Sequence, residues 1–325
     1  MRTRLILQFL AFTITSSCFA QIKPSGLRDT TFSIKSAYQH EIGHHPKIQI
    51  ADSTMPASVV VHRNIQYNKL EAGRARKLDV FKNEKTKNEK QPAILMVHGG
   101  GWRAGDRSHN STLARKLAQA GFVAITVDYR LSTEALFPAA VFDLKEAIRW
   151  IRANGSNYGV DTSQIAILGF SAGGELAAFV GTTNSNVKYE GMGAHQNFSS
   201  KVQAVIDIDG TLAFIHPESG EGDDSRSISA ATYWFGYSKS QKPELWIEAA
   251  PLTHVGKQTP PFLFINSSVE RMHAGRSDFI AKLDEFGIYS EIISFNDAPH
   301  TFMFFDPWFI PTLTSVNNFL RKTFK

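Results

Sequence analysis

Residues 165–180 read IAILGFSAGGELAAFV. A β-branched apolar run (Ile165, Ile167) enters this stretch, and helix-forming residues from Glu175 to Ala178 leave it. Between them Gly169-Phe170-Ser171-Ala172-Gly173 matches G-x-S-x-G. The pattern has a mechanical meaning on a strand-to-helix turn. So sharp a turn leaves no room for side chains at the two glycines, and it holds the serine strained with its hydroxyl exposed. A helix starting there also aims unpaired N–H groups at the same point. Ser171 is therefore the candidate nucleophile, and the Ala172 amide is a candidate donor to a developing negative oxygen.

Upstream, residues 93–97 form a short continuous apolar run that suits a buried central strand. His98-Gly99-Gly100-Gly101-Trp102 follows it directly. Three glycines let the backbone turn its amides inward, so Gly100 and Gly101 join Ala172 as expected oxyanion donors. Downstream and between, strand and helix patterns alternate. Strands are predicted at 122–127, 165–168, 202–208, 262–265 and 290–295, and helices at 112–120, 139–153, 172–180, 277–286 and 313–320. Residues 59–61 and 75–81 read as a hairpin with turn residues at 68–73. Such alternation implies an α/β architecture, a mostly parallel sheet with helices on both faces. Residues 184–200 and 216–246 interrupt it and are expected to be loops or a small cap. Residues 21–56 show no clear period and read as an extension preceding one domain, 57–325.

An activated serine needs a base, and histidine titrates close enough to neutrality to take and return a proton. His300, in Asp297-Ala298-Pro299-His300-Thr301-Phe302, follows the last predicted strand. His254 precedes the penultimate strand and His273 opens a helix, so both are placed less well.

The HGGGW motif followed by GFSAGG resembles the α/β-hydrolase esterases related to hormone-sensitive lipase. It is closest in style to the bacterial feruloyl and acetyl-xylan esterase branch. The resemblance includes Asp128-Tyr129-Arg130-Leu131, Phe137-Pro138-Ala139-Ala140, Asp143, Trp150 and Tyr158-Gly159-Val160-Asp161, and runs from about Ile65 to the C-terminus. It implies the α/β-hydrolase fold, a triad in the chain order Ser, acid, His, and ester hydrolysis through an acyl-enzyme without a cofactor. The family usually carries His-Gly-x-x-Asp after the penultimate strand. Here Asn266-Ser267-Ser268-Val269-Glu270 stands in that place, so Glu270 is the expected acid, ahead of Asp278 and Asp297. Trp102, Arg271 and His273 are the expected sugar contacts.

The chain has 325 residues, 42% of them hydrophobic and 20% charged, enough for a sizeable core. Its net charge of +5 is spread without basic runs, which gives no sign of a nucleic-acid partner. Arg2 and Arg4, an apolar stretch at 5–12 and Cys18-Phe19-Ala20 read as a secretory signal peptide of residues 1–20, cut before Gln21. The apolar stretch is shorter than the about 20 residues that span a bilayer. Lipidation of Cys18 fits less well, because Thr15-Ser16-Ser17 lacks the expected aliphatic residue. Export and the branch resembled together imply an acylated polysaccharide or oligosaccharide as substrate, with acetyl esters of xylan or pectin ahead of feruloyl esters or small esters. A serine peptidase and a non-catalytic binding protein on the same fold are the readings from other classes. His40-Glu41-Ile42-Gly43-His44 matches the zinc pattern H-E-x-x-H, but Gly43 and Pro46 oppose the helix it needs. The acidic residues Glu218, Glu221, Asp223 and Asp224 lack regular calcium-ligand spacing. No metal site is expected.

Overall fold

The structure, a computed structural model, describes residues 20–68, 74–86 and 89–324. Cys18 and the expected signal segment up to residue 19 lie outside the described residues, as does most of the turn at 68–73. Among the described residues ten strands run in chain order: β1 (Gln49–Ile50), β2 (Val59–Asn68), β3 (Arg76–Asn83), β4 (Gln91–Val97), β5 (Val123–Val127), β6 (Val160–Phe170), β7 (Ala204–Ile208), β8 (Phe262–Asn266), β9 (Ser290–Ser294) and β10 (Phe305–Asp306). Eight of them form one sheet in the order β2-β3-β5-β4-β6-β7-β8-β9. The first two pairings, β2 with β3 and β3 with β5, are antiparallel; every pairing from β5 to β9 is parallel. The order reverses around β4, with β5 on one side and β6 on the other. In an open sheet of this kind the crevice beyond the strands' carboxyl ends is where ligands bind.

The side-chain period of two explains how the sheet is covered. Along β4, Ala93, Leu95 and Val97 enter one core, while Ile94 and Met96 enter the other. Along β6, Ile165 and Ile167 face the first core and Ala166, Leu168 and Phe170 the second. Buried on both faces, these strands read as continuous apolar runs. The first core is closed by α3 (Ala139–Asn154), α4 (Ala172–Thr182) and α7 (Arg276–Glu285), and the second by α2 (Ser111–Gln119) and α8 (Phe309–Thr323).

Three further helices were not expected. α1 (Ile34–Glu41) lies in the N-terminal extension, and α5 (Ala230–Phe235) and α6 (Pro243–Glu248) lie in the irregular stretch before β8. Helix α1 is eight residues long and starts on a reciprocal cap. Ser33 Oγ accepts from the Ser36 amide at 3.0 Å, and Ser36 Oγ accepts from the Ser33 amide at 2.9 Å. So short a helix carries too few turns to show a period. It stops at Glu41, so His40 and His44 do not share a helical face. The rest of the extension is tied down by backbone bonds from Ile22 to the Gly236 carbonyl and from Gly26 to the Thr133 carbonyl, both 2.8 Å. A bridge of Asp29 with Ala104 and the pairing of β1 with β10 complete its attachment. Among the described residues no helix is long and apolar enough to cross a membrane.

Candidate active site

Strand β6 ends at Phe170, and α4 begins at Ala172. Ser171 alone makes the turn, at φ 56° and ψ −125°, a strained conformation for a residue with a side chain. Close packing explains the pattern around it: a Cβ on Gly169 would lie 1.8 Å from the Gly173 carbonyl oxygen. The Ser171 amide donates to the Ile208 carbonyl of β7 at 2.8 Å, which fixes the turn against the next strand.

His300 Nε2 lies 2.9 Å from Ser171 Oγ. The imidazole stacks on Phe170, with ring centroids 4.9 Å apart. Its Nδ1 lies 3.0 Å from Oδ2 of Asp209, a residue the sequence reading did not single out. Asp209 is the first residue after β7 and is fully buried at φ 51°, a conformation that Asp tolerates better than most residues. Its Oδ1 accepts from the Ser267 amide at 2.8 Å, and its own amide donates to the Ile265 carbonyl at 3.0 Å.

Glu270, expected as the acid, is corrected by this geometry. It is exposed at the start of a 3-10 turn, and its side chain makes no bond among the described residues. The chain leaving β8 is held by the Ser267 and Ser268 amides, the latter on the Ala298 carbonyl at 3.0 Å, and then turns to solvent. The end of β8 thus supplies an amide to the carboxylate instead of the carboxylate itself. A signal was present in the sequence. Asp207 lies in, and Asp209 directly after, a buried strand next to the nucleophile strand, at its carboxyl end, where acids are rare without a task.

The expected oxyanion glycines stand opposite. Gly100 adopts φ 120° and Gly101 φ 58°; a Cβ on Gly100 would lie 2.3 Å from the Ala104 carbonyl oxygen. The Arg103 and Ala104 amides, donating to the Gly100 carbonyl at 3.1 and 2.9 Å, curl the loop. The amides of Gly100, Gly101 and Ala172 donate to no backbone carbonyl among the described residues. Gly100, Gly101, Ser171 and His300 line one cleft of about 290 Å³, with Ala230 of α5 beside them and Asp29, Thr31 and Phe32 of the N-terminal extension forming a wall.

The expected sugar contacts do not meet in this cleft. Trp102 is corrected to a core residue. It is 3% exposed, stacks on Trp234 at 4.8 Å and donates from Nε1 to Glu175 Oε2 at 2.9 Å. Arg271 is exposed and His273 half-buried, and neither is among the described residues lining the cleft. Below the site lie Glu175 and Asp207, both fully buried. Burial pushes each carboxyl well above the usual range, and for Asp207 the neighbouring Asp209 adds to the effect. Among the described residues no group of three or more His, Cys, Asp or Glu side chains is placed to hold a metal ion.

A parallel-centred sheet covered on both faces, a serine on the strand-to-helix turn after β6, and a histidine delivered to it from beyond β9 define the α/β-hydrolase fold. The BD-FAE family model matches residues 78–273, and the chain belongs to that family. It is 31% identical over 200 residues to esterase LipC of Mycobacterium tuberculosis, covering 60% of this chain and 48% of that protein. Among solved structures, a truncated carbohydrate esterase from gut microbiota aligns at TM-score 0.70 and 24% identity, over 84% of this chain and 98% of that one. A bifunctional GH43-CE protein of Bacteroides eggerthii aligns at TM-score 0.69 and 26% identity, over 81% of this chain and 38% of that one. The chain spans about half the length of the first curated relatives it matches.

Proposed function

We propose that the protein is an exported carboxylic ester hydrolase that removes acetyl groups from plant or algal polysaccharide. The observation that carries this reading is the hydrogen-bonded line from Ser171 Oγ to His300 Nε2 at 2.9 Å and from His300 Nδ1 to Asp209 Oδ2 at 3.0 Å. His300 takes the Ser171 proton as Oγ attacks the ester carbonyl. Asp209 holds the imidazole with Nδ1–H toward itself and stabilises the cation that forms. The amides of Gly100, Gly101 and Ala172 receive the oxyanion. Collapse of the tetrahedral adduct expels the alcohol, which takes its proton from His300. Water, activated by the same histidine, then releases the acid and restores Ser171. The likeness to esterase LipC supports the reaction class. The solved neighbours described as a carbohydrate esterase and a GH43-CE protein, together with the signal-like N-terminus, support the substrate class.

The test is acetate release from acetylated xylan and acetylated pectin, with 4-nitrophenyl acetate as the small ester. Wild type is expected to release acetate from a polymer, and Ser171→Ala is expected to lose activity on all three substrates. Hydrolysis of the small ester alone would leave the reaction class standing and remove the polysaccharide. Equal activity in the Ala variant would remove Ser171 from the mechanism.

A further inference from the structure

Arg103 lines the cleft with Ser171 and His300, and the mechanism gives it no part. Its Nε donates to Asp29 Oδ2 at 3.0 Å, its guanidinium carbon lies 4.3 Å from the centre of the Tyr233 ring, and its side chain is 32% exposed. Its two terminal nitrogens donate to no acceptor among the described residues. The ion pair and the ring together hold a planar fork with its outer N–H groups free, the arrangement that matches a carboxylate. Asp29 is itself occupied, accepting from the Thr31 amide at 2.9 Å and the Thr31 hydroxyl at 2.7 Å.

Asp29 and Phe32, which wall the cleft, also line a second hollow of about 370 Å³, and Arg28, Asp106 and Ser108 line both that hollow and a third of about 400 Å³. In the third, Arg107 is committed to Asp79 at 3.0 Å and Asp128 at 2.6 Å. Arg63 is the loosely held cation there: its side chain is 50% exposed, and it reaches Asp79 only at 3.6 Å. Arg103 is therefore the guanidinium that lines the cleft of the nucleophile, and Arg63 lies in a separate hollow.

We propose that this cleft binds acylated uronic-acid polymers, with Arg103 taking the carboxylate of the sugar at the ester. The proposal rests on the ester-hydrolase reading above and narrows its substrate to an anionic polysaccharide. A polymer with a carboxylate on each sugar meets this cation with charge, whereas a neutral xylan does not.

The experiment compares kcat/KM of the purified full chain on acetylated polygalacturonate, acetylated xylan and 4-nitrophenyl acetate, at low and at high NaCl. Wild type is expected to prefer the polygalacturonate, and the preference is expected to shrink with salt. Arg103→Gln is expected to lower the ratio of polygalacturonate to small-ester kcat/KM by about tenfold, chiefly through KM. Arg63→Gln, at an exposed position outside the cleft, is expected to leave it within about twofold of wild type. An unchanged ratio in Arg103→Gln, or equal use of the two polymers without salt dependence, overturns the uronate proposal and leaves the esterase reading intact. Failure to cleave even the small ester overturns both.

Discussion

Asp209 and Glu270 are separated by one pair of conservative substitutions. Asp209→Asn keeps the shape of the side chain but removes the charge that holds His300 Nδ1, so kcat on 4-nitrophenyl acetate is expected to fall on the order of 10³–10⁴-fold. Glu270→Gln, at an exposed side chain without a bonded partner among the described residues, is expected to stay within about twofold of wild type. The opposite ranking would restore Glu270 and remove Asp209. At this scale the sequence was legible where a residue's task is written in its neighbours. The strained turn around Ser171 demands glycines, and His300 follows the last strand. The acid was not legible, because a carboxylate reaches the same place from the end of either β7 or β8, and spacing alone does not say which. The resemblance pointed to β8; the buried Asp207-Ile208-Asp209 at the end of β7 was the better physical clue.

The loop carrying Gly100 and Gly101 and the helix carrying Ala172 are held to each other beneath the cleft. Trp102 closes the loop and Glu175 lies in the first turn of α4, so their 2.9 Å bond ties the two sources of oxyanion amides together. Glu175 Oε1 and Asp207 Oδ2 are buried without partners among the described residues, which fits carboxyls that stay protonated in the folded protein. Above the pKa that Glu175 has in the unfolded chain, the folded state binds the extra proton, so stability is lost as pH rises toward the folded pKa. Glu175→Gln keeps an acceptor for Trp102 and removes that titration. Its Tm is expected to gain on wild type progressively as pH rises above the ordinary glutamate range, read from thermal melts across pH. A constant Tm difference would contradict a protonated Glu175. His98, directly after β4, works in the other direction. Burial lowers its pKa to about 4 from 6.5, so the unfolded chain binds more protons between those values and stability falls as pH drops through them. That loss amounts to about 3 kcal/mol by pH 4. His98→Gln is expected to flatten the acid limb of the melting profile, and an unchanged limb would show that His98 does not titrate there.

For the whole molecule, the N-terminal extension is the part that composition and period left blank. Its contacts are long-range and its one helix is short, so nothing local announced that residues 29–32 would wall the cleft. The alternating strands and helices of the main sheet were legible because each element buries a full face against a neighbour. Deleting residues 21–32 removes the backbone bonds to Gly236 and Thr133 without cutting any strand of the main sheet. It also removes the ion pairs of Asp29 with Arg103 and of Arg28 with Asp106. At about 1 kcal/mol net for each lost backbone bond, the truncated protein is expected to fold with a Tm several degrees lower. It is also expected to show a raised KM for small esters, because one wall of the cleft is gone. A KM equal to that of the full chain would mean that the extension does not shape the cleft.

Placing the carboxylate on β7 has a consequence for how this scaffold can change over generations. The nucleophile and its acid then stand on adjacent strands whose ends are already bonded to each other, through the Ser171 amide and the Ile208 carbonyl. The turn after β8 contributes one backbone amide, a group that nearly every residue type supplies. Its side chains are therefore released from proton transfer, and insertions, grafts or drift between Ser268 and Ala274 can be sampled while the chemistry stays fixed.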